Sequence, residues 1–398
     1  DSAATMLARL YLAQESPAYA VPLLRGQLAR RPHHGAREQL LGQAYQALGE
    51  RALAQQAFER ALDEDLPESE RQVVHEQLAL LCLENASPSG DEVSPAFAPA
   101  LAAAIAHLEA VALGPDPILA EQATVLAQAL RAFVASATPE QKAQAHAQLG
   151  RVFLERGDLL RARDQFEAAL KLVPDYPDAH AYLGHVWSLL GEPAHAEAHL
   201  RQAIDLAPEN ALPRYFLGMH DLRQGRLETG RDMLVAAYEL EPGNPALCAA
   251  VADSYLRGDA PRYAVAEQWL LAAVANAPGD VRFYLLLAHL YVETGLDPGG
   301  RGVATAQVAV ELAPENPEAY ETLGWAYYLG GQTALAVEPL EQALELAESA
   351  RAHYRLGEVY RALGLVSQAR AHLVAAVDLD WNGVVGEQAG QTLVELYQ

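Results

Sequence analysis

One period governs this chain. Leu149-Gly150, Phe153, Ala162, Phe166, Ala169 and Pro174 are followed 34 residues later by Leu183-Gly184, Trp187, Ala196, Leu200, Ala203 and Pro208. A further 34 residues bring Leu217-Gly218, Asp221, Gly230, Leu234, Ala237 and Pro242. A fixed offset of this length marks one supersecondary unit that cannot bury its apolar face alone and must stack on copies of itself. The length of 398 residues, divided by an average domain, would suggest two or three globular domains. For a repeat array that arithmetic does not apply.

The spacing within the unit has a physical meaning. Leucine, glycine and an aromatic three residues later share one face of a first helix. The glycine removes bulk, so a second helix can come close. Alanine, a larger apolar residue four later and alanine three after that form the facing stripe of the second helix. A proline five residues further stops it. Asn244-Pro245 and Asn316-Pro317 then supply an N-cap and a first-turn proline for the next helix. The apolar share of 51%, much of it alanine and leucine, favours helices over strands, so the fold class is all-α.

The leucine-glycine, aromatic, A-x3-F, alanine and proline positions resemble those of the tetratricopeptide repeat family. The resemblance covers nearly the whole chain and implies a right-handed α-solenoid superhelix of stacked helix-turn-helix units. We assign repeats to 1–34, 35–68, 143–176, 177–210, 211–244, 245–280, 281–316, 317–349 and 350–383. Asp221 replaces the usual aromatic, and Glu348 stands where proline is expected. Two units carry two extra residues each, around 257–263 and 294–301. The expected organisation is an N-terminal arm over 1–84, an irregular section over 85–142, a main array of seven repeats over 143–383 and a capping helix over 384–398.

In the irregular part, from 69 to 142, Leu78-Ala79 and Cys82 look like a degenerate first helix. A Ser/Pro/Gly/acidic loop follows over 85–99, then helices over 100–113 and 118–135, the second without an obvious partner. Thr138-Pro139-Glu140-Gln141 is a capping box. The section is either a hinge between two arms or a degenerate repeat with a surface loop. Val385, Ala389, Leu393 and Leu396 lie at helical spacing, as in a solvating end helix. The first repeat begins almost at Asp1 without such a cap, and we expect the natural chain or a bound partner to continue there.

The formal charge is −24, and Lys142 and Lys171 are the only lysines. With no basic block, nucleic acid and anionic lipid are not expected partners; the charge keeps the chain soluble and could attract basic proteins. Cys82 and Cys248 lie far apart at positions assigned to buried faces, so neither a disulfide nor a metal is expected of them. No apolar run is read as a membrane span, so no membrane insertion is expected. Compartment is not assigned.

Few residues suggest chemistry. His195 and His199 are four apart on a helix, but the intervening Ala-Glu-Ala differs from the zinc-protease pattern and no third ligand is fixed. Residues 295–302 are glycine-rich beside Arg301 but lack the Gly-Lys-Ser/Thr ending of a phosphate loop, so an enlarged turn is expected. No nucleophile elbow is present. The sequence leads to no enzyme, metal or cofactor.

The resemblance implies that first helices line a concave groove, with repeat positions 5, 9, 12 and 13 facing it. Those positions give Tyr215, Met219, Arg223, Asp253, Arg257, His289, Glu293, Trp325, Tyr328, Tyr354, Glu358 and Arg361 as candidate partner-binding residues. The set is rich in aromatics and arginine, the chemistry of binding hot spots. Trp325 and Tyr328 could form a platform, or Trp325 could pack on the adjacent repeat. Gln39, Gln43 and Gln46 give the earlier arm a more polar wall. Some relatives hold acidic C-termini in a basic clamp, which this lysine-poor chain does not provide. The expected function is a scaffold for a protein or peptide partner within a larger assembly. A regulatory arm of a signalling enzyme and a self-associating structural protein are the alternatives.

Overall fold

The computed structural model describes residues 2–86 and 97–396. Most of the loop expected over 85–99 therefore lies outside the described residues. Twenty-two α-helices and no strand are found among the described residues. The chain divides into two compact units, Asp1–His199 and Leu200–Gln398.

In the first unit the helices pair in sequence: α1 (Ser2–Ala13) with α2 (Pro17–Arg30), α3 (Gly35–Ala47) with α4 (Arg51–Asp63), and α5 (Glu68–Ala86) with α6 (Phe97–Ala112). An unpaired α7 (Pro117–Ala135) follows. Then come α8 (Pro139–Glu155) with α9 (Leu159–Leu172), and α10 (Pro177–Leu189) with α11 (Pro193–Leu206), whose last residues belong to the second unit. The second unit continues with α12 (Ala211–Arg223) and α13 (Leu227–Leu240), then α14 (Pro245–Leu256) and α15 (Tyr263–Asn276). After these come α16 (Val281–Thr294) and α17 (Val303–Leu312), α18 (Pro317–Leu329) and α19 (Val337–Leu346), and α20 (Ala350–Ala362) and α21 (Val366–Leu379). Helix α22 (Val384–Leu396) ends it.

The small residue of each first helix sits where the facing helix comes closest. A Cβ on Gly150 would lie 2.8 Å from the Phe166 ring, and one on Gly42 2.6 Å from Phe58. The same relation recurs at Gly324 with Leu340 and Gly357 with Leu373, at 2.6 and 2.7 Å. The partners Phe58, Phe166, Leu340 and Leu373 are fully buried. The connecting turns follow the sequence signals. Asn244 and Asn316 cap α14 and α18 through their side-chain oxygens, and Thr138 and Gln141 form the capping box of α8.

Departures from the repeat have local explanations. Asp221, in an aromatic's place, is buried and accepts from Arg226 Nε at 2.9 Å, fastening the α12–α13 turn. The glycine-rich stretch is an enlarged turn. Asp297 adopts φ +58°, its carboxylate accepts from the amides of Gly300 and Arg301, and one π-helical turn, Pro298–Gly302, leads into α17. Gly299 and Gly330 meet there backbone to backbone; a Cβ on Gly299 would lie 2.7 Å from the Gly330 Cα. Cys82 and Cys248 are buried free thiols whose pKa is raised by that burial.

In the 69–142 segment the degenerate-repeat alternative fits and one expectation changes. Helices α5 and α6 form a hairpin: Ala79 shares a buried core with Ala104, Leu108 and Val111, while Leu78 is buried in the neighbouring core with Val74 and Leu81. The sequence hides it because 26 residues separate Leu78 from Ala104, against 13 between Leu149 and Ala162. Helix α7 is 19 residues long and, by length and composition, apolar enough to cross a membrane, contrary to the expectation that no run qualifies. In the fold its Ala123, Leu126, Ala127 and Leu130 are buried in the core shared with α6, α8 and α9.

A second relation repeats in register. The first-helix residue three before the leucine meets the second-helix residue just before the large apolar one. At that place His180 faces His199 and His353 faces His372, each with Nδ1 atoms 2.9 Å apart. His75 faces His107 at 3.0 Å, and His146 bonds Gln165 Oε1 at 2.8 Å. His180 Nε2 donates to the Pro174 carbonyl at 2.9 Å, so its Nδ1 accepts and His199 Nδ1 donates. Each imidazole pair thus holds one proton between facing nitrogens, and a second would set two N–H groups head to head. His199 is half-buried in this contact, while His195 lies against Trp187 with centroids 5.0 Å apart.

Burial is the main cause that lowers the pKa of His75, His107, His146, His353 and His372, and it takes His199 down to about 4. Neighbouring charges modify this: Arg71 lowers and Glu68 raises His75, Glu59 raises His107, Lys142 lowers His146, Glu348 raises His353, Glu341 raises His372, and His195 lowers His199. A lowered folded value means that the unfolded chain binds protons first. The stabilisation is whole above pH ~6.5 and is lost as pH falls toward the folded values. The urea midpoint is expected to drop between pH 7 and 5, and the triple variant His107→Gln, His199→Gln, His372→Gln to show a shallower drop. An equal slope in both chains would refute the assignment. Gly150→Val, which drives a side chain into Phe166, is expected to cost about 1–3 kcal/mol in chemical unfolding.

Candidate functional site

All twelve candidate residues belong to the second unit; eleven lie on its first helices, α12, α14, α16, α18 and α20, and Arg257 caps the C-terminus of α14. Stacking of hairpins brings these helices side by side, so the residues fall into three neighbouring groups.

The first group joins α12 and α14. Tyr215 and Met219 are half-buried against Leu222, Leu234, Ala250 and Val251. The Tyr215 hydroxyl has its pKa raised by burial, with Arg223 lowering it and Asp253 raising it, which places both charges near the phenol. Asp253 accepts from Arg257 Nε at 2.8 Å. Arg223 and Arg257 are exposed at the ends of their helices.

The second group spans α16, α18 and α20. His289 is half-buried, and its Nε2 lies 2.9 Å from Thr322 Oγ1, whose own proton goes to the Glu318 carbonyl at 2.7 Å. Nε2 therefore carries the hydrogen. Burial lowers the His289 pKa, Glu318 raises it, and Arg351 and Arg355 lower it further. Glu293 accepts from Arg355 Nη2 at 3.1 Å. Arg355 also lies 2.9 Å from Glu321, which accepts from Arg351 Nε at 2.6 Å. Glu321 and Arg355 are only 4% and 6% exposed. The Arg355 guanidinium sits 5.2 Å from the centre of the Trp325 ring.

Trp325 and Tyr328 stack on each other, centroids 4.8 Å apart and planes at 24°. Trp325 also packs against Ala288 and Val292 of the preceding hairpin, while Tyr328 packs on Leu356 and Val359 of the next. The two rings therefore do both things the sequence left open. They lie together, and each has a neighbour in an adjacent repeat. Both remain half-buried.

In the third group, Tyr354 packs with Leu393 and Leu396 of α22. Glu358 is buried and accepts from Arg361 Nη2 at 2.6 Å; Arg361 also lies 3.9 Å from Glu395 of α22. Helix α22 thus lies against the last first helix, Tyr354 packs on it, and Glu358 is buried with its carboxylate held by Arg361.

Sequence reasoning missed Glu321, Arg351 and Arg355. Glu321 stands at position 5 of its repeat, so the positional rule contained it. Arg355 is at position 6, outside that rule. Its signal is two arginines four apart on α20 opposite glutamates of two earlier first helices.

Each member of the buried Glu321–Arg355 pair has a second partner, Arg351 for the glutamate and Glu293 for the arginine, so removing one member strips part of the charge compensation of the other. Glu321→Met or Arg355→Met alone is expected to cost about 1–3 kcal/mol, and both together less than the sum. A double-mutant cycle by urea unfolding reads this; additive losses would mean the pair is not coupled.

Residues 39–66, 123–177, 147–211 and 331–384 match profiles described as tetratricopeptide repeat. No curated protein sequence gives a significant match. Among solved structures, yeast Tom70 is 15% identical, with a TM-score of 0.50 over 99% of this chain and 88% of that one. The Cut9–Hcn1 hetero-tetramer of APC/C gives 15% identity and a TM-score of 0.48, covering 89% of each chain. A tetratricopeptide repeat protein from Parabacteroides merdae gives 18% and 0.46, covering 63% of this chain and 97% of that one. At these identities the likeness to Tom70 is one of fold.

Proposed function

We propose, from the premise that this chain is a tetratricopeptide-repeat protein, that it is a non-catalytic scaffold holding a protein or peptide partner along the first helices of its second unit. The observation that supports this most is the Trp325–Tyr328 stack. Two half-buried rings stacked with their planes at 24°, with Arg355 over one of them, present an aromatic surface much of whose side-chain freedom is already lost. Polar groups continue from it in both directions: His289 and Glu293 on α16, Arg361 on α20. A peptide side chain laid on the rings would find donors and acceptors on either side.

The partner is expected to gain little from Tyr354, which packs on α22, or from Glu358, which is buried and held by Arg361. Binding energy should concentrate on Trp325 and Tyr328, with Arg223, Asp253 and Arg257 acting at the rim.

Affinity capture from source cells with the intact chain and with the Trp325→Ala, Tyr328→Ala double variant tests the reading. Loss of two hot-spot rings is expected to weaken capture by more than about tenfold while far-ultraviolet circular dichroism is unchanged. Equal recovery by both chains would remove this strip as the binding site.

A further inference from the structure

The unpaired helix α7 has a structural consequence in the first unit. Where one hairpin would otherwise follow another, α7 stands between α6 and α8, and the neighbouring walls line a half-open cavity of about 580 Å³. This falls in the range of cavities that hold small organic ligands. Its floor is apolar: Leu101 from α6, Leu130 and Phe133 from α7, and Leu149 and Phe153 from α8.

The polar part of the wall is uneven. His146 is bonded to Gln165 and lies edge-on to Phe133, centroids 4.7 Å apart. Arg161 is held by Asp158 and Glu84. Asp164, the carboxylate in the lining, is paired with Arg163 at 2.6 Å. Lys142 is different: exposed in the first turn of α8, it has no carboxylate partner among the described residues. It is one of two lysines in a chain of net charge −24. An apolar cavity with an uncompensated ammonium beside it matches a molecule with a hydrocarbon tail and one anionic head.

We propose that this cavity binds a long-chain carboxylate, its tail between α6, α7 and α8 and its head paired with Lys142. Apolar burial supplies most of the binding, since the tail replaces water against leucine and phenylalanine side chains. Lys142 supplies orientation and the preference for an anion. As an exposed pair it adds only a few-fold in affinity.

The test uses the full chain and cis-parinaric acid, a fluorescent eighteen-carbon carboxylate, with its methyl ester as the uncharged control. Saturable fluorescence enhancement at one probe per chain is expected. Ala102→Phe, which fills the cavity from an exposed position on α6, is expected to weaken binding at least tenfold. Ala98→Phe does the same from one turn away and guards against a folding defect in the first variant. Lys142→Ala is expected to weaken the acid about two- to fivefold and leave the ester unchanged. The absence of saturable binding, or wild-type binding by both filled variants, overturns the site. An unchanged acid-to-ester ratio in Lys142→Ala overturns the anionic head. A dimer in light scattering that excludes the probe would assign the cavity to a second copy of this chain instead.

Discussion

Close approach of two helices at a residue without a side chain is the contact on which the array depends. Gly42, Gly150, Gly324 and Gly357 each let a large apolar side chain of the facing helix lie almost on the backbone. Without that approach the second helix would stand off, the phenylalanine or leucine would lose most of its contacts, and each hairpin would lack a dry interior. Neighbour-to-neighbour stacking starts from such hairpins, because only a closed pair offers its successor a continuous apolar face.

This contact is also what made most of the fold legible. Leucine-glycine, the aromatic, and the alanine stripe of the second helix can be read as residue types at fixed offsets, and the capping asparagines mark where each helix begins. The hairpin of α5 and α6 was legible only as one of two alternatives, a degenerate repeat with a surface loop, because an insertion doubled the distance between Leu78 and Ala104 while leaving both half-motifs intact. Helix α7 was legible at 118–135, close to its observed bounds, but a helix outside the repeat has no partner position from which its packing can be read. The irregular section was visible as a break and its helices could be read, but how they pack could not.

The candidate strip was legible in part. Repeat register identified which side chains share the first-helix surface, and Trp325 with Tyr328 could be expected to lie near each other. Register does not tell which of them are buried. Glu358 and Tyr354 occupy the same positions as Met219 and Tyr215, yet α22 packs beside them. The Glu321–Arg355 pair was hidden for a related reason: a charge in a sequence looks like solvated surface, and only the stacked neighbours show that it is dry. The facing histidines are similar. Each is unremarkable alone, and the pairing emerges only when both helices of a hairpin are aligned.

One feature of the second unit alters how such an array should be imagined mechanically. Glu293 on α16 grips Arg355 on α20, passing over the hairpin between them, while Arg355 also touches Glu321 on that hairpin. A stack in which each unit meets only its immediate neighbours behaves like beads that can loosen one at a time. Here one arginine joins the first helices of three successive hairpins, a coupling that reaches past nearest neighbours, and the aromatic stack of Trp325 and Tyr328 lies within that stretch.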